Sequence, residues 1–301
     1  MSKISLYFLS LIVLFPCTSL AQGQRKEKPK QLIKAIAIGA RRTAKFKRST
    51  KQYKIKMEGP DGQEIEETIP AGVPIEIAGK ENEYVPYQLY AKNSGSKDKL
   101  SRFSLGLNSF SPEVKLPAKE TLSLFKRRVI PAEDGGKPKY KLEPYASAPS
   151  QVAASHSLVT IVKNHKELEG WAKPLVKVFN ISPERFGSNS CLVYNSSPFN
   201  MVIKFGGLEL INLRPFTHKY VSDLKKDKYG AIPYEIFLKS GSIVERLPSG
   251  ALVSRDNSRH YIFTFVDPRK GVKRRGDLAV FSEKVPAPLL PHEAEGNEGT
   301  N

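Results

Sequence analysis

The chain has 301 residues, a formal net charge of +18 at pH 7, 40% hydrophobic residues and two cysteines, Cys17 and Cys191. One of those cysteines lies in the leader described next. The single thiol left excludes an internal disulfide and a cysteine-based zinc ribbon, so stability must come from burial.

The chain opens with Lys3, an apolar run from Ile4 to Phe15 broken only by Ser5 and Ser10, and Ser19-Leu20-Ala21 with small residues where a signal peptidase reads. This three-part layout predicts a signal peptide over residues 1–21, cleaved after Ala21. The run is shorter than the roughly 20 residues that span a membrane. A lipoprotein signal ending at Cys17 would want small residues where Phe15 and Pro16 stand. The mature chain is therefore expected to be exported, to the periplasm, the cell surface or the extracellular space. Its length suits one large domain or two of average size.

Residues 22–31 are polar and aperiodic, which predicts a flexible basic arm. From there to residue 285 the apolar pattern is short and of period two, or continuous. Strands are predicted at Lys34–Ile38, Tyr53–Met57, Tyr87–Tyr90, Phe103–Leu107, Leu158–Val162, Val176–Phe179, Cys191–Tyr194, Met201–Phe205 and Tyr261–Val266. Turn residues separate many of them, among them Gly59-Pro60-Asp61-Gly62, Asn93-Ser94-Gly95, Gly206-Gly207 and Ser240-Gly241. Short helices are expected only around 165–171 and 222–228. The tail from Pro286 to Asn301 is rich in Pro, Glu and Gly and predicts disorder.

The halves carry an internal likeness. Ile33–Ile38 resembles Val176–Ile181, Ile55–Met57 resembles Ile203–Phe205, Pro86–Tyr90 resembles Pro233–Phe237, and Leu158–Val162 resembles Ile262–Val266. The match requires an insertion in the first copy at about 100–150. The fold expected is mainly β: two tandem antiparallel β-sandwich-like domains of seven to nine strands each, at 32–168 and 172–285. The block Asn195-Ser196-Ser197-Pro198, Phe205-Gly206-Gly207-Leu208-Glu209-Leu210 and Leu213-Arg214-Pro215 is similar to a pattern of exported, uncharacterised bacterial proteins with paired β domains. That resemblance implies the same fold and compartment and carries no catalytic residues.

Charge is unevenly spread. Residues 22–56 hold 13 Lys/Arg against one acid, and residues 172–285 hold 19 against 10, whereas 57–171 are nearly balanced at 15 against 16. The runs are Arg41, Arg42, Lys45, Lys47, Arg48 with Lys51; Arg269, Lys270, Lys273, Arg274, Arg275; and the smaller Lys126-Arg127-Arg128. Fields of one sign attract anionic polymers in a salt-dependent way. Phe46 and Tyr53 flank the first run and could stack on sugars or bases.

Catalytic patterns are sparse. His156, His165, His218, His260 and His292 have no metal-ligand spacing, and neither Gly-x-Ser-x-Gly nor a phosphate loop occurs. Ser94-Gly95-Ser96-Lys97 sits in a turn, where Lys97 cannot be aimed at Ser94. Asn180 and Asn195 fit the N-glycosylation pattern. The sequence thus points to a non-catalytic binding or structural protein of the envelope or extracellular space. It would need no cofactor or metal, and its basic runs would dock an anionic glycan, a cell-wall polymer or lipid headgroups. Its rivals are a polysaccharide hydrolase with a dispersed carboxylate pair, and a β-domain subunit whose protein partner covers a strand edge.

Overall fold

A computed structural model describes residues 30–40, 46–48, 50–72, 74–76, 84–92, 100–118, 120–130, 139–151, 153–164, 171–253, 255, 257–267 and 276–287, with backbone alone at 46–48, 74–76 and 92. The expected signal peptide, most of the arm and the tail beyond residue 287 lie outside this set. Among the described residues the chain forms strands and no helix, and Ser222–Lys228 is irregular.

The first half builds two main sheets. One runs, in hydrogen-bonded order, β12 (Leu175–Asn180), β11 (His156–Val162), β1 (Lys30–Ile38) and β8 (Val114–Pro117). The other runs β4 (Glu64–Ile69), β3 (Tyr53–Glu58), β10 (Lys139–Pro149), β9 (Thr121–Ile130), β6 (Gln88–Lys92) and β7 (Leu100–Ser104). A short pair joins β2 (Phe46–Arg48) to β5 (Pro74–Glu76).

The second half repeats the plan. One sheet runs β16 (His218–Val221), β13 (Cys191–Asn195), β20 (Ser258–Val266) and β21 (Gly276–Lys284). The other runs β15 (Ile211–Leu213), β14 (Asn200–Phe205), β17 (Ala231–Ser240) and β18 (Ile243–Arg246), with β19 (Gly250–Val253) also on β17.

Three core clusters fix how these sheets stack. Ile33, Ala35 and Ala37 of β1 pack with Leu89, Phe103, Leu124 and Ala148 of the six-stranded sheet. The alternate β1 residues Ile36 and Ile38 pack with Leu192, Tyr194, Tyr261, Phe263 and Phe265 of the second half. On the far side Cys191, Val193 and Ile262 meet Met201, Ile203, Phe205 and Ile236. The four-stranded sheets are therefore inner layers, covered on both faces. That is why β11 and β13 are buried along their whole length and read as continuous apolar runs.

Several expectations need correction. The sheets are not wholly antiparallel: β1 runs parallel to β11, β13 to β20 and β3 to β10. A sequence shows that a strand exists, while its neighbour is chosen by long-range packing. Lys30 and Gln31 belong to β1 rather than to an arm, because the buried Gln31 amide bonds Ser150 and Ser157. The block Val176–Ile181 supplies β12, which hydrogen-bonds to β11, so it holds the place of β21 and not that of β1. The strand equivalent to β1 is β13, as each is the first strand of its half and runs parallel to a late one. The other three matched blocks fall on β3 and β14, β6 and β17, and β11 and β20.

The hairpin β9–β10 lies inside the expected insertion. Without it the outer sheet would read β4-β3-β6-β7, the order of β15-β14-β17-β18, although β3 meets β10 in parallel and β14 meets β17 antiparallel. The described strands of the first half thus exceed the seven to nine expected, and those of the second number nine.

A buried charge group crosses the layer between the inner sheets. Lys34 of β1 pairs with Glu283 of β21, and Glu283 also takes Arg259 Nε at 2.8 Å and the Tyr261 hydroxyl. Arg259 is wholly buried and spends Nη1 on the carbonyls of Ile181 and Phe186. Burial alone would push the Glu283 carboxyl up, but Lys34 and Arg259 outweigh it and hold it below the usual carboxylate range. Removing one partner of a buried pair strands a charge. Glu283→Gln strands two cations, whereas Lys34→Met leaves Arg259 to neutralise the carboxylate. Urea unfolding at pH 7 is expected to show Glu283→Gln destabilised by about 3–5 kcal/mol and Lys34→Met by less.

Candidate functional site

Of the expected anion-docking residues, Arg41, Arg42, Lys45, Arg269, Lys270, Lys273, Arg274 and Arg275 lie outside the described residues. Lys47 and Arg48 are placed by backbone on β2, opposite Ile75 and Pro74. The described residues beside the runs can still be located. Lys34 is level with Arg259 and Glu283. Phe110, bridged to Ile36, packs on the rings of Tyr261 and Phe281 at 5.1 and 5.3 Å. Lys177, in register with Thr160 and so with Ile36, stands 5.2 Å from the ring of Tyr194, which pairs with Phe263. Moving along β1 from Lys34 to Ile36 is thus moving along β20 from Arg259 to Phe263. Ile38, from which the first run departs, shares an end of the stack with Val266 and its partner Gly276, which bracket the second. A Cβ at Gly276 would meet the methyl ends of Leu238 and Leu247, which would have to shift.

The described cations of the six-stranded sheet behave differently. Lys54–Glu66, Lys56–Glu64, Lys141–Glu58 and Arg128–Glu143 pair at 2.7–2.9 Å along one face. Such exposed pairs contribute little stability, but they cancel the field of that face. Arg128, from the third basic run, is thereby neutralised.

The other face of this sheet is curled inward. Glu67 of β4 accepts from the Tyr90 hydroxyl of β6 at 2.7 Å and from Arg102 of β7 at 2.6 Å, so strands from the two ends of the sheet meet. Ile55, Met57, Ile69, Tyr90 and Leu142 are buried within the curl, and Tyr53, Phe125 and Tyr140 pack against them. Arg127 shares the face of its register partner Leu142. Its guanidinium lies 5.3 Å from the Tyr140 ring, close enough to Tyr53 and Tyr90 to oppose the rise that burial imposes on both phenols. Arg127 Nη1 is buried and has no hydrogen-bond partner.

Other residues singled out in the sequence take structural places. His156 begins β11 and His260 is the third residue of β20; they pair with Leu32 and Cys191, and bond Ser155 and Ser282 through Nδ1. Burial holds both below the usual histidine pKa. Cys191 is fully buried and its thiol pKa is pushed far up by burial, so it carries no nucleophilic thiolate. Asn195 is a buried hub. Its Nδ2 donates to the carbonyls of Phe199, Leu213 and Arg214, and its Oδ1 accepts from Ser197 and Thr264. That use explains the Asn-Ser-Ser-Pro and Leu-Arg-Pro blocks and removes Asn195 as a glycosylation acceptor in the fold. Among the described residues no group of three or more His, Cys, Asp or Glu could hold a metal ion.

No family model matches the chain, and no curated protein matches it significantly.

His218 offers a pH test. Burial, then Lys177 and Arg185, lowers its pKa from 6.5 to about 4. The unfolded chain therefore takes the proton first. Stability carried by the neutral ring is complete above pH 6.5 and is lost as pH falls toward 4. Urea midpoints measured from pH 7 to pH 4.5 are expected to fall in wild type and to fall less steeply in His218→Gln.

Proposed function

We propose that the protein is an exported, non-catalytic binding and structural module that docks an anionic polymer. In this reading β1–β12 and β13–β21 are two tandem β sandwiches, each an inner sheet under an outer one, set back to back through the inner sheets. The shared connectivity of the inner sheets supports a duplication, with β9–β10 added to the first copy. The observation that carries the docking reading is the common end of the stack to which Ile38, Val266 and Gly276 belong. The described flanks of both basic runs come to that end, while Lys54, Lys56, Lys141 and Arg128 on the first outer sheet are each paired with an acid. An anionic glycan or cell-wall polymer bound there would follow a salt-dependent field.

Retention on an anionic-polymer column tests this. Neutralising 41, 42, 45, 47 and 48, or 269, 270, 273, 274 and 275, is expected to lower the salt needed for elution. Neutralising both sets should abolish retention at physiological salt, and Lys54→Gln with Lys56→Gln should leave it unchanged. If wild type elutes no later than the tenfold-neutralised variant, the reading fails.

One observation favours a second reading, a subunit of an envelope assembly. Ile243 and Val244 on β18 and Val253 on β19 are more than half exposed along the free edge of β17's neighbours. A partner strand would cover them, and light scattering of the purified protein would show a stable oligomer.

A further inference from the structure

We propose that the curled sheet binds a compact oxyanion, a carboxylate or a phosphate, on Arg127. The charge balance inside the curl is uneven. Its one described acid, Glu67, is committed to Arg102 and to the Tyr90 hydroxyl. Among the described residues no acid pairs with Arg127, and its Nη1 is out of water and without a hydrogen-bond partner. A guanidinium taken from water without an anion is costly, and a buried polar nitrogen without a partner calls for a reason. Two other cations of this hairpin are paired with acids, Arg128 with Glu143 of β10 and Lys141 with Glu58 of β3. Arg127 alone of these faces inward and receives none.

The surroundings suit a ligand rather than a sealed core. Arg127, Tyr53 and Tyr140 are each partly exposed, so an anion can reach the guanidinium from solvent. The planar fork takes the two oxygens of a carboxylate or phosphate side by side. The Tyr53 phenol keeps its proton at neutral pH, because burial raises its pKa further, and a hydroxyl that keeps its proton can donate to a bound oxygen. The Tyr140 ring gives a flat apolar wall on which the rest of a ligand can lie. The site is confined to the first half because it is made by β9–β10, which the second half lacks. It uses none of the residues of the two basic runs, so it stands apart from polymer docking.

Calorimetric titration of the mature protein at low ionic strength, with inorganic phosphate and separately with glucuronate, tests the site. Wild type is expected to show saturable binding of at least one, and the stronger of the two identifies phosphate or sugar acid as the source. Arg127→Gln should weaken binding about tenfold to 100-fold, Arg127→Lys should weaken it because a point charge lacks the fork, and Arg128→Gln should leave it unchanged. Urea unfolding without added anion supplies an independent check. Arg127→Met is expected to fold with a midpoint equal to or above wild type, since it removes an unpaired buried charge. Absence of saturable binding of both anions overturns the proposal. So does an Arg127→Met midpoint below wild type, which assigns the guanidinium to internal packing on Tyr140. Polymer retention that survives in Arg127→Gln leaves docking by the basic runs intact, so the two ideas fail separately.

Discussion

Two sheets covered on both faces impose the central constraint. Every side chain of β11, β13 and nearly every one of β1 and β20 must find an apolar or fully bonded place. The aromatic residues of β20 meet this demand by edge-on packing: Tyr261 against Phe110 and Phe186, Phe263 against Tyr194. Such large rings bury more area than any other side chains, and their mutual geometry adds to the gain. The parallel pairs of the inner sheets, β1 with β11 and β13 with β20, fit the same demand. Parallel strands occur where both faces are covered, and the first and a late strand of each half lie side by side at the centre of the stack.

Within that apolar layer the charge group of Lys34, Arg259 and Glu283 is the exception that fixes alignment. Apolar faces slide past one another at little cost, whereas an ion group in a dry layer tolerates no displacement. Arg259 reaches the carbonyls of Ile181 and Phe186 on the linker between β12 and β13 as well as Glu283 on β21. One side chain thereby joins the second half to the segment that leads into it. The outer sheets are under no such demand. The six-stranded sheet is free to curl, to carry paired charges on one face and to hold Arg127 on the other.

Strand existence was legible in the sequence because burial on one face alternates and burial on both gives unbroken runs. Tyr53–Met57 illustrates the first pattern, and Leu158–Val162 the second. Pairing was not legible. Val176–Ile181 looks like Ile33–Ile38 because both are strands of the same inner sheet, yet one is an edge and the other central. The inserted hairpin could be expected from spacing, but not that it would separate β3 from β6. The basic runs stand out as composition, whereas Arg127 gave no separate signal. Its neighbours Lys126 and Arg128 carry the same charge, and only the pleat decides which of the three turns inward. Nothing in the sequence around Arg259 and Lys34 marks them for burial, and only the distant Glu283 makes it tolerable. Asn195 read as a sugar acceptor because its partners, Thr264 among them, are remote in sequence.

The place of Cys191 has a practical consequence. It is the first residue of β13, against His260, sealed by the second half's own core. An alkylating reagent can reach the sulfur only when that half opens. The rate at which this thiol is modified is therefore a clock for the breathing of the second half, built into the chain at a natural position.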